Sequence, residues 1–146
     1  MSPEENKAIL RHALDEIWNK GNLAVTDELA HPDLVARSNT LGLAESNTLA
    51  QLKQSVALYR VAFHDLNVTL DEMVAEGEQV AVRFTASGTH LGPLLGIPAT
   101  GKRATVANIT IYHMRDGRIM DQRGLTDTLG LLQHLGVAQH MGPASR

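Results

Sequence analysis

Hydrophobic and polar positions alternate with the period of a helix at the start of the chain. Ser2-Pro3-Glu4-Glu5 is a capping box, in which the serine hydroxyl accepts from the third helical amide and Glu5 reaches back. One apolar stripe follows at intervals of three and four residues, formed by Ile9, Leu10, Ala13, Leu14, Ile17 and Trp18. Gly21 supplies a left-handed stop. The pattern predicts a helix up to Gly21 and a short second helix over residues 23–30.

The next segment lacks a clear period. Residues 31–47 mix turn formers with few periodic apolar residues, which predicts an irregular loop that covers part of the domain. Asn47 or Thr48 is placed to cap a third helix. The apolar residues of that helix, which runs to Phe63, are only partly periodic.

A period of two begins after Asp65. Apolar and polar residues alternate over 66–71 and 80–89, which predicts antiparallel strands. Two further strands, over 103–115 and 118–126, flank Asp116-Gly117, a strong hairpin signal. Between the two strand pairs, residues 90–101 carry three Gly and two Pro and predict a long structured excursion. Asp127 is placed to cap a last helix over 128–135, which Gly136 closes.

Helices followed by antiparallel strands predict an α+β fold. We expect a single domain over residues 1–138 and a flexible tail over 139–146. A twisted sheet of few strands buries one face under the helices, and a sheet that curls around them leaves a pocket between the two layers. The fold class therefore predicts a ligand cavity.

Composition narrows the possible functions. The chain has 146 residues, 43% of them hydrophobic, a net charge of −3 and no cysteine. We therefore expect neither nucleic acid nor a membrane as a partner, and no disulfide or thiolate chemistry. The seven histidines show no metal-ligand spacing, and the glycines form no phosphate loop, so no metal or cofactor is expected. The acidic N-terminus and the absence of a long apolar run predict a cytoplasmic protein.

Several motifs in the second half of the chain resemble the SnoaL-like polyketide cyclase family, of the nuclear transport factor two-like superfamily, in order and spacing. These are Gly88-Thr89-His90, Gly92, Gly96-Ile97-Pro98-Ala99-Thr100-Gly101, Asp116-Gly117-Arg118-Ile119, and the segment from Asp127 to Gly136. The resemblance implies a cone-shaped α+β barrel, a homodimer or tetramer, and a cavity between helix one, helix three and the concave face of the sheet. It further implies an intramolecular aldol ring closure run by acid–base chemistry without metal or cofactor.

The resemblance also implies where the acid–base pair of the cyclases would stand. Their base is an Asp on the last strand and its helper a His on the strand before. Counting from the shared Asp-Gly turn, these positions hold Gly124 and Thr110 here, and Ser55 stands where helix three would carry an amide. The usual pair is therefore replaced by neutral residues.

The alternation of side chains along the last two strands predicts a neutral, hydrogen-bonding floor for the pocket. Asn108, Thr110 and Tyr112 share one face of the third predicted strand, and Met120, Gln122, Gly124 and Thr126 share one face of the fourth. A three-residue turn with Gly117 as a bulge puts the two sets on the same face. A two-residue turn puts Gln122 on the opposite face from Tyr112.

The remaining candidate residues have two interpretations each. Asp127 and His90 are candidate catalytic groups at the rim of the pocket, but a helix cap for Asp127 and a hydrogen bond to loop backbone for His90 are favoured. His113 fits a subunit interface better than catalysis. Arg83 fits a salt bridge with Asp71 or Asp121 better than a ligand contact. Trp18 fits core and cavity wall equally well.

Three functions remain open. The first is a cyclase-like or isomerase-like enzyme for a small carbonyl compound, with Trp18 as apolar wall and Asn108, Tyr112 and Gln122 as orienting groups. The second is a non-catalytic binding or accessory protein that keeps the cavity without the acid–base pair. The third is an epoxide or ester hydrolase, which requires acidic residues around Arg83. A buried carboxylate in the cavity favours an enzyme, and a neutral floor favours binding.

Overall fold

A computed structural model describes residues 1–40 and 43–138. Its elements alternate helices and strands before the long meander: α1 (Pro3–Leu14), a π-helix (Asp15–Asn19), α2 (Ala24–Leu29), β1 (Ala30–Thr40), β2 (Leu43–Thr48), α3 (Leu49–Ala62), β3 (Asn67–Glu76), β4 (Gln79–Thr89), β5 (Arg103–Arg115), β6 (Arg118–Thr126) and α4 (Thr128–His134). The α+β fold class is confirmed. The tail predicted over 139–146 lies outside the described residues.

The described strands form one curved, unclosed sheet in the order β2-β1-β6-β5-β4-β3. The prediction of an irregular loop over 31–47 is wrong, because most of this segment forms β1 and β2, which pair antiparallel with each other. β1 also pairs parallel with β6, the single parallel contact of the described sheet. Pairing with a strand more than eighty residues away leaves no local signal in β1, which explains why the pattern missed it.

The predicted helix caps are confirmed. Ser2 and Glu5 form the capping box of α1, and Thr48 forms a second one with Gln51 at the start of α3. Gly21 has a positive φ of 69° after the π-helix, as its stop role requires. No helix in the described part of the chain is long and apolar enough to cross a bilayer.

The hairpin between β5 and β6 has the second of the two turns that the sequence left open. Asp116 and Gly117 both have positive φ values, 50° and 78°, and form a two-residue turn, so Gly117 is not a bulge. The register shifts instead at Met120, since His113 pairs with Asp121 and Met114 with Ile119. Because of this bulge, Tyr112 and Gln122 lie on the same face of the sheet, as the grouping predicted.

The core lies between the inner face of the sheet and the helices. Leu10 and Leu14 of α1 pack there against Val80, Val82 and Met114, all nearly inaccessible to solvent. A second cluster, between α3, α4 and the 90–101 loop, includes Phe63, Leu94, Leu131 and Leu135. The two clusters leave an unfilled space between them, over the middle of β4 and β5.

Candidate functional site

A partly open cavity of about 130 Å³ lies between the helices and the inner face of the sheet. Four aromatic residues from three elements, the π-helix, the end of α3 and β4, line it: Trp18, Tyr59, Phe63 and Phe84. Aliphatic residues such as Leu66, Val106 and Leu131 complete most of the wall. Among the described residues that line the cavity, none carries a charged side chain.

The π-helix places Trp18 at the cavity. Its wider turn follows directly on α1, and π-helical turns are frequent at functional sites. Arg60 of α3 donates from Nη1 to the carbonyl oxygens of Trp18 and Asn19, at 2.6 and 3.0 Å. The Asn19 side chain in turn exchanges two hydrogen bonds with the backbone of Val68 on the edge strand β3. These contacts fix the backbone that carries the indole ring.

Helix α3 contributes Tyr59 and Phe63, four residues apart on one helical face. The Trp18 and Tyr59 rings meet edge to face, with centroids 6.3 Å apart. Burial raises the pKa of Tyr59, and the nearby Glu45 carboxylate raises it further. Tyr59 therefore stays neutral at physiological pH.

The polar end of the cavity is an amide and hydroxyl pair. Asn108 Nδ2 donates to Thr126 Oγ1 at 2.6 Å, and Thr110 Oγ1 donates to Asn108 Oδ1 at 2.6 Å. Asn108 and Thr126 both line the cavity, whereas Thr110 lies buried behind them. A Cβ atom at Gly124, the residue opposite Thr110, would fall 2.6 Å from Thr110 Oγ1. The glycine thus makes room for the threonine hydroxyl.

The structure brings two of the six predicted binding residues to the cavity, Trp18 and Asn108. Tyr112 is buried in the neighbouring core, and burial raises its pKa. Gln122 pairs with Tyr112 across the strands and shares its face, as the grouping predicted. It lies outside the cavity lining, and so does the half-buried Ser55 of α3.

Neither candidate catalytic group reaches the cavity lining. Asp127 is exposed and accepts from the Gly130 amide at 3.0 Å, which confirms its role as the cap of α4. His90 is fully buried, and its Nδ1 accepts from the Thr100 amide at 3.2 Å, which confirms the predicted contact with loop backbone. Because Nδ1 is an acceptor, the neutral ring carries its proton on Nε2, which has no hydrogen-bond partner among the described atoms.

Two further candidates lie on the outer face of the sheet. Arg83 forms a salt bridge, as predicted, but its partner is Glu72 at 3.2 Å and neither Asp71 nor Asp121. The bulge of β3 after Leu70 brings Glu72 opposite Arg83. His113 lies between Glu78 and Asp121, at 3.4 and 3.5 Å. The acidic cluster around an arginine that a hydrolase requires is therefore missing from the described lining.

Sequence reasoning missed most of the aromatic wall. Tyr59 and Phe63 come from the end of α3 and Phe84 from β4, and no pattern shows that the two segments converge. The spacing of four between Tyr59 and Phe63 was the one available signal. Thr126 was grouped with the floor but was not proposed as a ligand contact. Within residues 1–40 and 43–138, no three His, Asp or Glu side chains are grouped as metal ligands would be.

Comparison with known proteins identifies the family. The family model for SnoaL-like polyketide cyclase matches residues 8–135. Over 118 residues, 80% of this chain, the sequence is 38% identical to aklanonic acid methyl ester cyclase DauD of Streptomyces sp. (strain C5). A 58-residue stretch, 40% of this chain, is 37% identical to aklanonic acid methyl ester cyclase DnrD of Streptomyces peucetius. The matches span 62% and 40% of the lengths of these two relatives.

A solved structure gives the same result for the fold. The structure of TsrD from Streptomyces laurentii superposes with a TM-score of 0.80 at 30% sequence identity, over 94% of this chain and 99% of that one. Because the family model covers most of the described chain, the assignment extends to the helices and the sheet together. The chain belongs to the SnoaL-like polyketide cyclase family.

Proposed function

We propose that the protein binds a small, largely apolar carbonyl compound in the partly open cavity. The observation that carries this proposal is an aromatic cavity whose polar end consists only of neutral groups, Asn108 and Thr126. An apolar protein cavity of roughly 150 Å³ binds benzene, so about 130 Å³ accommodates one six-membered ring. The ring packs against Trp18 and Phe84, and its carbonyl oxygen meets the amide end.

Binding is favoured over proton abstraction because the described lining holds no base. The positions that the resemblance assigns to the acid–base pair hold Thr110 and Gly124, which are direct neighbours across β5 and β6. Thr110 has a pKa far outside the working range of a general base. The arrangement can orient a carbonyl group, but it has no group that removes a proton at neutral pH.

Substitution of the single tryptophan tests this proposal. Trp18→Ala should lower the affinity for fluorobenzene, measured by fluorine NMR titration, by about tenfold, which corresponds to about 1.4 kcal/mol of lost contact. Trp18→Phe is the matched control, since it keeps an aromatic wall and should lose much less. Equal affinity of the wild type and Trp18→Ala would contradict the assignment of the cavity as the binding site.

Catalysis of an aldol cyclisation is the second candidate, supported by the cyclase relatives DauD and DnrD. In such a reaction the carbon beside one carbonyl loses a proton and bonds to a second carbonyl carbon, whose oxygen gains a proton. The test is a linear diketone that closes to a six-membered ring, followed by the absorption of the cyclohexenone formed when water is lost. A rate above that of buffer, lost in Asn108→Leu, supports catalysis. A rate equal to that of buffer leaves binding as the function.

The outer face of the sheet supports a second proposal, that the partner is another copy of the chain. Ile109, Ile111 and Leu125 are 53%, 47% and 60% exposed and adjoin one another on β5 and β6. Beside them, Arg37 and Arg123 pair across the strands, and no described carboxylate lies within salt-bridge distance of either. Like charges directly opposite each other are destabilising. This cationic edge therefore calls for acidic groups from outside the subunit.

The opposite edge of the same face supplies those acidic groups. Asp71 and Glu76 of β3 are exposed there, on the far side of the apolar centre, and Glu72 beside them is already paired with Arg83. Consider a two-fold axis that lies in the interface, parallel to the strands and above β5. It brings the β1–β6 edge of one copy opposite the β3 edge of the other. The face is therefore self-complementary in charge, as an isologous dimer interface requires.

A further inference from the structure

Three side chains on the inner face of β5 and β6 form a continuous hydrogen-bonded chain. Thr110 contacts Asn108, and Asn108 contacts Thr126. The chain begins at Thr110, which is 4% exposed, and ends at the cavity. Hydroxyl groups can donate or accept, so the direction of the chain depends on how the amide between them is held.

Thr110 sets that direction. Its hydroxyl is buried and donates to Asn108 Oδ1, and a carbonyl oxygen can only accept. An unmade bond at a buried donor is costly, so the hydroxyl proton holds the carbonyl end of the amide toward Thr110.

The direction of the chain fixes the orientation of the amide at the cavity. With Oδ1 occupied by Thr110, Asn108 directs Nδ2 to Thr126 Oγ1. One N–H of Nδ2 makes that bond, and the other has no partner among the described atoms. Since Thr126 Oγ1 accepts from Asn108, its own proton likewise remains available in the described part of the chain. Both residues line the cavity, so both free protons are available to a ligand.

We propose that Asn108 and Thr126 form a two-donor clamp for one ligand oxygen, and that Thr110 is the positioning residue that fixes its polarity. This inference rests on the proposed function, the binding of a carbonyl compound. The clamp favours a ketone or aldehyde, whose oxygen accepts two hydrogen bonds. It disfavours an ammonium ion, which has no lone pair to accept from the two protons.

Gly124 supports the same hydrogen-bonded arrangement. Any side chain at this position would place its Cβ against Thr110 Oγ1 and displace the hydroxyl that orients Asn108. Thr110 and Gly124 stand where the resemblance implies an acid–base pair. In place of a pair that transfers protons, these two positions therefore hold a hydroxyl group that orients the donors and a glycine that leaves room for it.

Two probes of equal shape separate the clamp from the cavity. Cyclohexanone carries a carbonyl oxygen, and methylenecyclohexane carries a CH₂ group in its place. We expect the ratio of the two affinities, measured by calorimetric titration, to fall about fivefold to tenfold in Thr110→Val, since one net hydrogen bond contributes about 1 kcal/mol. Thr110→Ser should restore the ratio. Thr126→Val, at a more accessible site, should lower it as well.

A matched control comes from the same wall. Ser87 lines the cavity but contacts Arg103 and not the hydrogen-bonded chain, so Ser87→Ala should leave the ratio unchanged. If both probes bind and Thr110→Val and Thr126→Val keep the wild-type ratio, the donor clamp is wrong and the cavity proposal survives. If neither probe binds the wild type, the proposed function itself fails. Urea unfolding of each variant confirms that the fold is intact.

Discussion

The two faces of β5 invert the usual distribution of side chains. Asn108, Thr110 and Tyr112 point into the domain, whereas Ile109 and Ile111 point outward and are about half exposed. A strand on a one-sided core normally buries its apolar residues and exposes its polar ones. The inversion is what the two proposals require, since a ligand would use the inner face through hydrogen bonds and a second copy the outer face through apolar contact.

The other end of the same hairpin follows the ordinary rule. Met114 and Ile119 pair across the strands and are almost completely buried, whereas Arg115 and Arg118 are exposed beside them. The inversion is therefore confined to the middle of β5, from Asn108 to Tyr112. One end of the hairpin stabilises the domain, and the other carries the candidate sites.

The largest effect should come from a matched pair of isoleucine substitutions. Ile119, at 4% exposure, lies in the core, and Ile109, at 53%, lies on the outer face. Ile119→Ala should lower the free energy of unfolding by about 2–5 kcal/mol, because it removes buried contacts and leaves a cavity. Ile109→Ala should change it by less than about 0.5 kcal/mol in the monomer. Urea unfolding at low protein concentration measures both changes. Equal losses would show that Ile109 is packed in the monomer and that the outer face is not exposed.

The next effect concerns self-association. Ile111→Asp puts a carboxylate at the centre of the proposed dimer face and should raise the dimer dissociation constant at least tenfold in sedimentation equilibrium, or about 1.4 kcal/mol. Leu91→Asp, at an equally exposed leucine of the 90–101 loop, is the control and should leave it unchanged. A wild-type protein that stays monomeric at high micromolar concentration would refute the proposed dimer.

The sequence predicted those elements whose signals are local. The capping box at Ser2, the alternation through β5 and the Asp116-Gly117 turn each depend on neighbouring residues, and the structure confirms them. β1 depends on distant partners. Of its described side chains only Leu34, Ala36 and Ala30 are buried, and Pro32 interrupts the run, so the segment resembled a loop.

The site was predicted in part for the same reason. The face shared by Asn108, Thr110 and Tyr112 follows from the alternation of side chains. Alternation does not show which of these side chains reach the cavity. How far each side chain lies from the cavity depends on the packing of α1 and α3 above it. That packing seals Tyr112 into the core and leaves Asn108 at the cavity.

A smaller effect is expected from acid, which should act outside the cavity. Asp65 accepts from the Thr89 amide and hydroxyl at 2.7 and 2.8 Å, and these bonds, with the Arg103 charge, lower its pKa in the folded state. Its stabilising contribution is therefore present above the ordinary carboxyl pKa and is lost as pH falls through the lowered value. Asp65→Asn should be less stable than wild type at neutral pH. Urea unfolding across pH should show the two proteins converging in acid, and a constant difference would rule out this carboxylate as the cause.

The smallest expected effect is the absence of one. Tyr59 is the titratable group in the described cavity lining, and burial raises its pKa above the ordinary tyrosine value. Burial also raises the pKa of Tyr112, in the core beside the cavity. The affinity for cyclohexanone should therefore stay constant between about pH 5 and pH 9, because no group that contacts it changes charge. A site with an acid–base pair would show a change of affinity in this range. A sigmoidal or bell-shaped pH profile in calorimetric titrations would therefore exclude the neutral clamp and favour acid–base catalysis at the inner face.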